Sequence, residues 1–338
     1  MAGKRKNPAD NWMPSRVSRG RSAYEFKHPD GRTIRLCPLD VTQSAVWVAY
    51  EKFTSKKEDK VTFKTLADRF LSSAEFTDLA FDSQKDYQKY AKKVMPVFGK
   101  MDPNNIKPEH IRKYMDKRGL KSKTQANREK TFMSRVFGWS YERGYVKGNP
   151  CKGVRQFKEK SRERYITDAE YDAVYAVAPD TVKVAMEIAY LCCARQADVL
   201  ALSRSQILDP GIFIRQGKTG AKQIKAWSDR LRAAITLADT LPIKDGISSV
   251  YVIHQRNGNR YTRDGFNTQW RNAKLAAIAA NPDMDFDFTY HDLKAKGISD
   301  LDGSLTDKQA ISGHKNASQT AIYDRKVKIV PVVGNQKG

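Results

Sequence analysis

Between Asn149 and Thr167 the chain changes character, and that break limits it to two separate cores. Asn149-Pro150 is a stop signal, and the run Lys152 to Arg164 is too basic and polar to be buried. The run ends at Thr167-Asp-Ala-Glu170, a capping box in which the threonine hydroxyl and the glutamate carboxylate satisfy amides that a first helical turn leaves open. A basic linker followed by a helix start predicts a domain boundary near 155–165. With 338 residues there is enough chain for a core on each side.

The two sides differ in period. Upstream, residues 62–145 follow helical spacing. One face is Phe63, Leu66, Phe70 and Leu71; a second is Tyr87, Tyr90, Ala91 and Val94, ending near Pro96. A third is Ile111, Tyr114 and Met115, and a fourth is Phe132, Val136, Phe137 and Trp139, ending before Gly144. This predicts a helical bundle over 59–155. Before it, residues 1–20 carry Lys4, Arg5, Lys6, Arg16 and Arg19 and read as a flexible arm. Tyr24 to Leu36 alternates about Asp30-Gly31 and reads as a β-hairpin, either a DNA-reading unit or a β-cap on the next domain. The arm and hairpin are grouped as 1–58.

Downstream, 160–325 is mixed. Helices are expected at about 168–178 and 181–193, continuing through Val199 to Leu202. Ile212-Phe-Ile214 and Gln223 to Trp227 flank the turn Gly217-Lys-Thr-Gly220, which predicts a short antiparallel sheet, with Val250 to Ile253 as a further strand. Thr262 caps a helix carrying Phe266 and Trp270, and short helices are expected at 292–301, 306–312 and 316–323. The tail is 326–338. The fold class is mainly α with a small antiparallel β-sheet.

Charge narrows the partner. Lys plus Arg is 61 and Asp plus Glu is 38, giving a net charge of +23. A polyanion relieves that self-repulsion, and nucleic acid gains further from counterion release. No apolar run of roughly 18 residues could span a bilayer, and the first residues lack the apolar core of a secretory signal. The expectation is a DNA partner, no membrane and a cytoplasmic setting. Lys121, Lys123 and Arg128, in the cluster from Lys117 to Arg135, are the candidate DNA-binding residues of the helical domain. Cys37, Cys151, Cys192 and Cys193 form no C-x-x-C pair, and Cys192 and Cys193 follow an apolar stretch and read as core.

Phosphodiester cleavage by nucleophilic attack needs a nucleophile, cations for the nonbridging oxygens and an acid for the leaving oxygen. Arg195 follows a buried helix, with Asp198 one turn on and able to orient it, or to form a merely structural pair with it. Lys218 sits in a tight turn that lacks P-loop spacing, where solvated lysines are common. His291 and Lys294 share a face at a helix start, and His314 follows Gly313. The two histidines find no third ligand at a recognisable spacing, so no metal is expected. Tyr323 closes the last helix.

In order, Arg195, Lys218, His291-x-x-Lys294, Gly313-His314 and Tyr323 resemble the signature of the tyrosine recombinase (phage integrase) family: Arg, β-hairpin Lys, His-x-x-Arg, Gly-His, Tyr. The match covers roughly 165–325, and the helical bundle resembles the family's core-binding domain. The resemblance implies that Tyr323 attacks the scissile phosphate, leaving a 3′-phosphotyrosyl bond and a free 5′-hydroxyl. Arg195 and Lys294 would stabilise the phosphorane, His291 and His314 would donate hydrogen bonds, and His291 is also a candidate to take the tyrosine proton. Lys218 would protonate the 5′ oxygen. No ATP and no other cofactor is implied. The implied partners are attachment-site duplexes, a homotetramer on two duplexes and accessory DNA-bending or excision proteins. Lys294 departs from the family arginine and loses its two-pronged contact with phosphate. Three readings are open: Lys294 suffices as a point contact, which is favoured; Lys296 or another cation helps; or the enzyme is weaker. Two other functions remain alternatives, a DNA-binding protein without chemistry and a type IB topoisomerase-like enzyme.

Overall fold

A computed structural model describes residues 7–28, 31–54, 61–327, 329–330 and 332. The chain divides into two compact units, Met1–Glu159 and Lys160–Gly338.

In the first unit, β1 (Val17–Arg19), β2 (Ala23–Lys27) and β3 (Thr33–Pro38) form an antiparallel sheet in that order, followed by α1 (Gln43–Thr54). The expected hairpin is β2–β3, with Phe26 opposite Ile34. Its Asp30, and Lys4, Arg5 and Lys6 of the arm, lie outside the described residues. The arm reading needs correction over 7–20. Val17 pairs with Phe26, and Met13 and Val17 are buried with Tyr24, Phe26 and Val46. A two-stranded hairpin is marginal alone, so a third strand and a helix cover its apolar face.

The bundle consists of α2 (Phe63–Leu71), α3 (Ala74–Thr77), α4 (Phe81–Phe98), α5 (Pro108–Gly119) and α6 (Lys123–Glu142). Phe63, Phe70, Phe98, Ile111, Met115, Phe132 and Phe137 are buried in its core. Pro96 does not end α4 as expected; the helix runs on to Phe98. Proline removes one amide donor, but burial of Phe98 against Phe63 and Tyr114 holds the final turn in place.

The second unit contains α7 (Asp168–Val177), α8 (Asp180–Leu191), α9 (Gln196–Leu200), β4 (Ile207–Leu208), β5 (Gly211–Arg215), β6 (Lys222–Ala226), α10 (Asp229–Asp239), α11 (Arg263–Ala280), α12 (Tyr290–Asp300), α13 (Leu305–Ser312) and α14 (Ala317–Tyr323). Thr167 and Glu170 form the expected capping box on α7. The apolar α8 is the central helix, with Val182, Val184, Ala185, Met186, Ile188 and Ala189 all buried. Cys192 and Cys193 are buried free thiols. Val250 to Ile253 is not a strand. Tyr251 makes an isolated bridge to Ser203, and the Val252 amide donates to Leu202. A loop can bury Val252 and Ile253 against the core without extending the sheet. Among the described residues of 326–338 none is in a strand, and no described helix is long and apolar enough to cross a membrane.

α12 lies directly on the end of α8. A Cβ at Gly297 would lie 2.1 Å from the Tyr190 carbonyl oxygen. Gly297→Ala is expected to destabilise the chain by about 1–3 kcal/mol through overpacking, read as a lower urea midpoint; an unchanged midpoint would contradict this packing.

Candidate active site

α8 ends in a bend, not a continuation. Cys193 adopts φ 50, a left-handed conformation rare outside glycine, and the chain re-enters helix at α9 with Arg195 as its N-cap. Arg195 is half-buried, and its Nη1 donates to Gln216 Oε1 at 2.5 Å. Asp198 does not orient Arg195 as expected. Its Oδ1 accepts from the Gly217 amide at 2.9 Å, at the start of the β5–β6 turn, and its buried Oδ2 has no partner.

Lys218 is exposed in that turn and bonds none of the other candidates among the described residues. Beside it, Arg215 and Lys222 face each other across the β5–β6 pair, and both are exposed. Like charges directly opposite are unfavourable in a sheet, so the hairpin end is a basic prong that an anion would relieve.

The remaining candidates converge. His291 Nε2 and the Tyr323 hydroxyl are 2.9 Å apart. The His314 ring lies 4.9 Å from that of Tyr323, and its Nδ1 is 3.2 Å from Thr320 Oγ1. His314 Nε2 is buried without a partner. Gly313, with φ 64, ends α13 in the left-handed turn that delivers His314 inward. Lys294 is 1% exposed, and its Nζ donates to the Cys193 carbonyl at 2.7 Å and the Ser312 carbonyl at 3.0 Å. It therefore lies beneath the Arg195 and His314 loops and is not laid open to solvent. Lys296 takes no part; it is 2% exposed and paired with Asp168 at 2.5 Å and Asp300 at 2.9 Å.

Burial and mutual repulsion set the protonation states. Burial, reinforced by Arg195, lowers Lys294 to about 7. Burial, then Lys294, Arg195 and His291, push His314 down to about 4. Burial also lowers His291, with Asp292 opposing and Lys294 and Arg195 adding to the fall. At neutral pH both imidazoles are uncharged, so His291 can accept the Tyr323 proton. Among the described residues Arg195 and Lys294 donate to amide and carbonyl oxygens and to no carboxylate, which suits a bound anion. Among the described residues no group of three or more His, Cys, Asp or Glu could hold a metal ion.

Several side chains that hold the candidate site together escape a reading of the sequence. Ser299 Oγ donates to the Tyr323 carbonyl at 3.0 Å and accepts from the Arg325 amide at 2.7 Å. Arg325 pairs with buried Asp292 at 2.6 Å, and buried Lys308 pairs with Asp324 at 2.8 Å. These contacts anchor the chain just after Tyr323. Asp292, next to His291, was a visible signal; Ser299 and Lys308 carried none. In the first unit, Lys121, Lys123 and Arg128 are exposed at and along α6, and Lys121 lines a groove with Lys93, Lys113, Lys117 and Arg118.

Two family models match the chain: the phage integrase central domain over 63–157 and the phage integrase family over 164–328. The chain belongs to the phage integrase family, the tyrosine recombinases. The integrase of Escherichia phage HK022 is 30% identical over 198 residues, which is 56% of this chain and 54% of that protein. The chain spans about half the length of the curated relatives it matches. A structure of a lambda integrase dimer bound to a COC′ core site aligns with a TM-score of 0.69 at 17% identity, covering 98% of this chain and 99% of that one. The Tn1549 transposon integrase in complex with circular intermediate DNA aligns with a TM-score of 0.65 at 12% identity, covering 79% and 96%. These likenesses show a shared fold.

The depressed histidine sets a pH dependence. His314 has a folded-state pKa of about 4 against its ordinary 6.5. Between those values the unfolded chain binds more protons, so stability is full above 6.5 and falls as pH drops toward 4. The urea midpoint is expected to decline over that window, and His314→Gln to make the decline shallower; identical slopes for the two proteins would refute the assignment.

Proposed function

We propose that this chain is a site-specific DNA recombinase that cleaves and rejoins duplex DNA through a 3′-phosphotyrosyl intermediate. The observation that carries this reading is the Tyr323 hydroxyl, 2.9 Å from His291 Nε2 beside His314 and a buried cation cluster. His291 takes the Tyr323 proton as the phenolate oxygen bonds to phosphorus. The 5′ oxygen leaves with a proton from Lys218, whose exposed turn can move toward a bound backbone. Arg195 and the unpartnered His314 Nε2 stabilise the nonbridging oxygens. The phosphotyrosyl bond keeps the energy of the broken bond, so a 5′-hydroxyl from a second duplex reverses the step and exchanges strands.

Lys294 takes a revised part. When Lys294 is protonated, two of its three N–H donors hold the Cys193 and Ser312 carbonyls, leaving one donor and the charge. It sets the Arg195 and His314 loops from behind and adds positive potential, without the two-pronged grip of an arginine.

The helical domain over 59–155 would track the duplex through Lys121, Lys123 and Arg128, and the sheet and α1 before it would meet accessory DNA. Lambda integrase is known as a dimer on a core site and as a tetramer bound to a Holliday junction. By that likeness this chain acts as a tetramer on two duplexes, integrating or excising phage or mobile-element DNA in a bacterial cytoplasm.

The test uses a library of nicked suicide duplexes with randomised core sequence. The expected result is a covalent protein–DNA band on a denaturing gel, absent for Tyr323→Phe while DNA binding is retained. The captured duplexes then serve as paired substrates, and strand exchange between them is expected. No adduct would leave a DNA-binding protein, and relaxation of supercoiled DNA without exchange would favour the topoisomerase-like alternative. Lys294→Ala is expected to slow adduct formation by about 10²-fold; an unchanged rate would remove Lys294 from the site.

A further inference from the structure

β5 carries an alternating stripe that ends on a polar residue. Ile212 and Ile214 are buried, and Gln216, two residues on, is buried in the same stripe at 3% exposure. A buried amide left unsatisfied costs about 1–3 kcal/mol, and every polar atom of this one is used. Oε1 accepts from Arg195 Nη1 at 2.5 Å and from Thr219 Oγ1 at 3.0 Å. Nε2 donates to the Ser312 carbonyl at 2.8 Å. The backbone closes the turn, with the Gln216 amide on Ala221 and the Gly220 amide on the Gln216 carbonyl, both at 2.8 Å. One side chain thus joins Arg195, the turn that carries Lys218 and the last carbonyl of α13, two residues before His314.

The rest of the hairpin's inner face repeats the pattern. Gln223 Nε2 donates to the Ala310 carbonyl, and buried Lys225 to the Ile311 carbonyl. Helix C-termini leave their final carbonyls open, and here the hairpin caps them. The fit is close: a Cβ at Gly313 would lie 2.3 Å from Gln216 Nε2. Chemistry separates Gln216 from a generic packing residue. A neutral acceptor orients the guanidinium without neutralising it, while the nearby carboxylate of Asp198 is held on the Gly217 amide. Arg195 therefore keeps its full charge for a phosphate, and the rotation of its donor edge is set in advance.

We propose that Gln216 is a positioning residue for strand cleavage: held by Thr219 and the Ser312 carbonyl, it aims Arg195. This rests on the recombinase reading above. Small misplacements of a catalytic group cost up to about 10²-fold in rate, so loss of this brace is read in the chemical step and not in binding.

The experiment compares wild type, Gln216→Met, Arg195→Ala and the double variant on a suicide duplex recovered from the library selection. It measures single-turnover adduct formation, duplex affinity and the urea midpoint. Gln216→Met is expected to slow adduct formation at least about tenfold with affinity within about twofold. In the Arg195→Ala background the same substitution is expected to change the residual rate by less than about twofold, because its target is gone. Should Gln216→Met fail to fold, Gln216→Glu keeps the acceptor and the shape but loses the donor to Ser312, and is expected to slow adduct formation with the fold intact. A rate unchanged in the folded variant, or the same loss in both Arg195 backgrounds, overturns the proposal alone. A wild-type chain with no Tyr323-dependent adduct overturns the recombinase reading and this proposal with it.

Discussion

The geometry of the second unit depends on one buried ammonium. Lys294 bridges the carbonyls of Cys193 and Ser312, and these belong to the loops that present Arg195 and His314. Burying a charge is costly unless donors find acceptors, so the lysine enforces the positions of both carbonyls as much as they accommodate it. The Cys193 carbonyl is available because α8 ends in a left-handed residue, and the Ser312 carbonyl because α13 ends at Gly313. Gly297 lets α12 approach closely enough for Lys294 to span both.

The electrostatic consequence follows from the same burial. Arg195, Lys225 and Lys294 lie near one another, and the acceptors that they contact are amides and carbonyls instead of carboxylates. Burial first, and then repulsion from neighbouring cations, lowers Lys294 and His314. An anion entering this site would offset the repulsive part of those shifts, though not the part due to burial. The outward face of the hairpin, with Arg215 opposite Lys222, extends the same logic to the surface, and the net charge of +23 extends it to the whole chain.

The Tyr323 segment is held differently. Arg325 on Asp292 and Lys308 on Asp324 are largely buried ion pairs, and Ser299 clamps the backbone between them. Such pairs are weak arguments for stability but strong constraints on geometry, since losing one partner strands a buried charge. Tyr323 thus sits at the end of a seven-residue helix that has little intrinsic stability and is located by tertiary contacts.

Local pattern determined much of this protein. Helical period placed α2, α4, α5 and α6, alternation placed β2, β3, β5 and β6, and the Thr167 capping box placed the start of α7. These features depend on neighbours within a few residues, which a sequence displays directly. The order Arg195, Lys218, His291, Lys294, His314, Tyr323 was visible through its resemblance to the family signature, because no single member stands out from its local context. What only tertiary structure decided is which atoms meet. Asp198 was near Arg195 in sequence, yet it holds Gly217, and the arginine is met by Gln216 just past the end of β5. Lys294 carried the right charge at the right spacing, but its burial between two loops changed what that charge can touch. Contacts between residues 21, 96 and 101 positions apart are set by packing, and no local period encodes them.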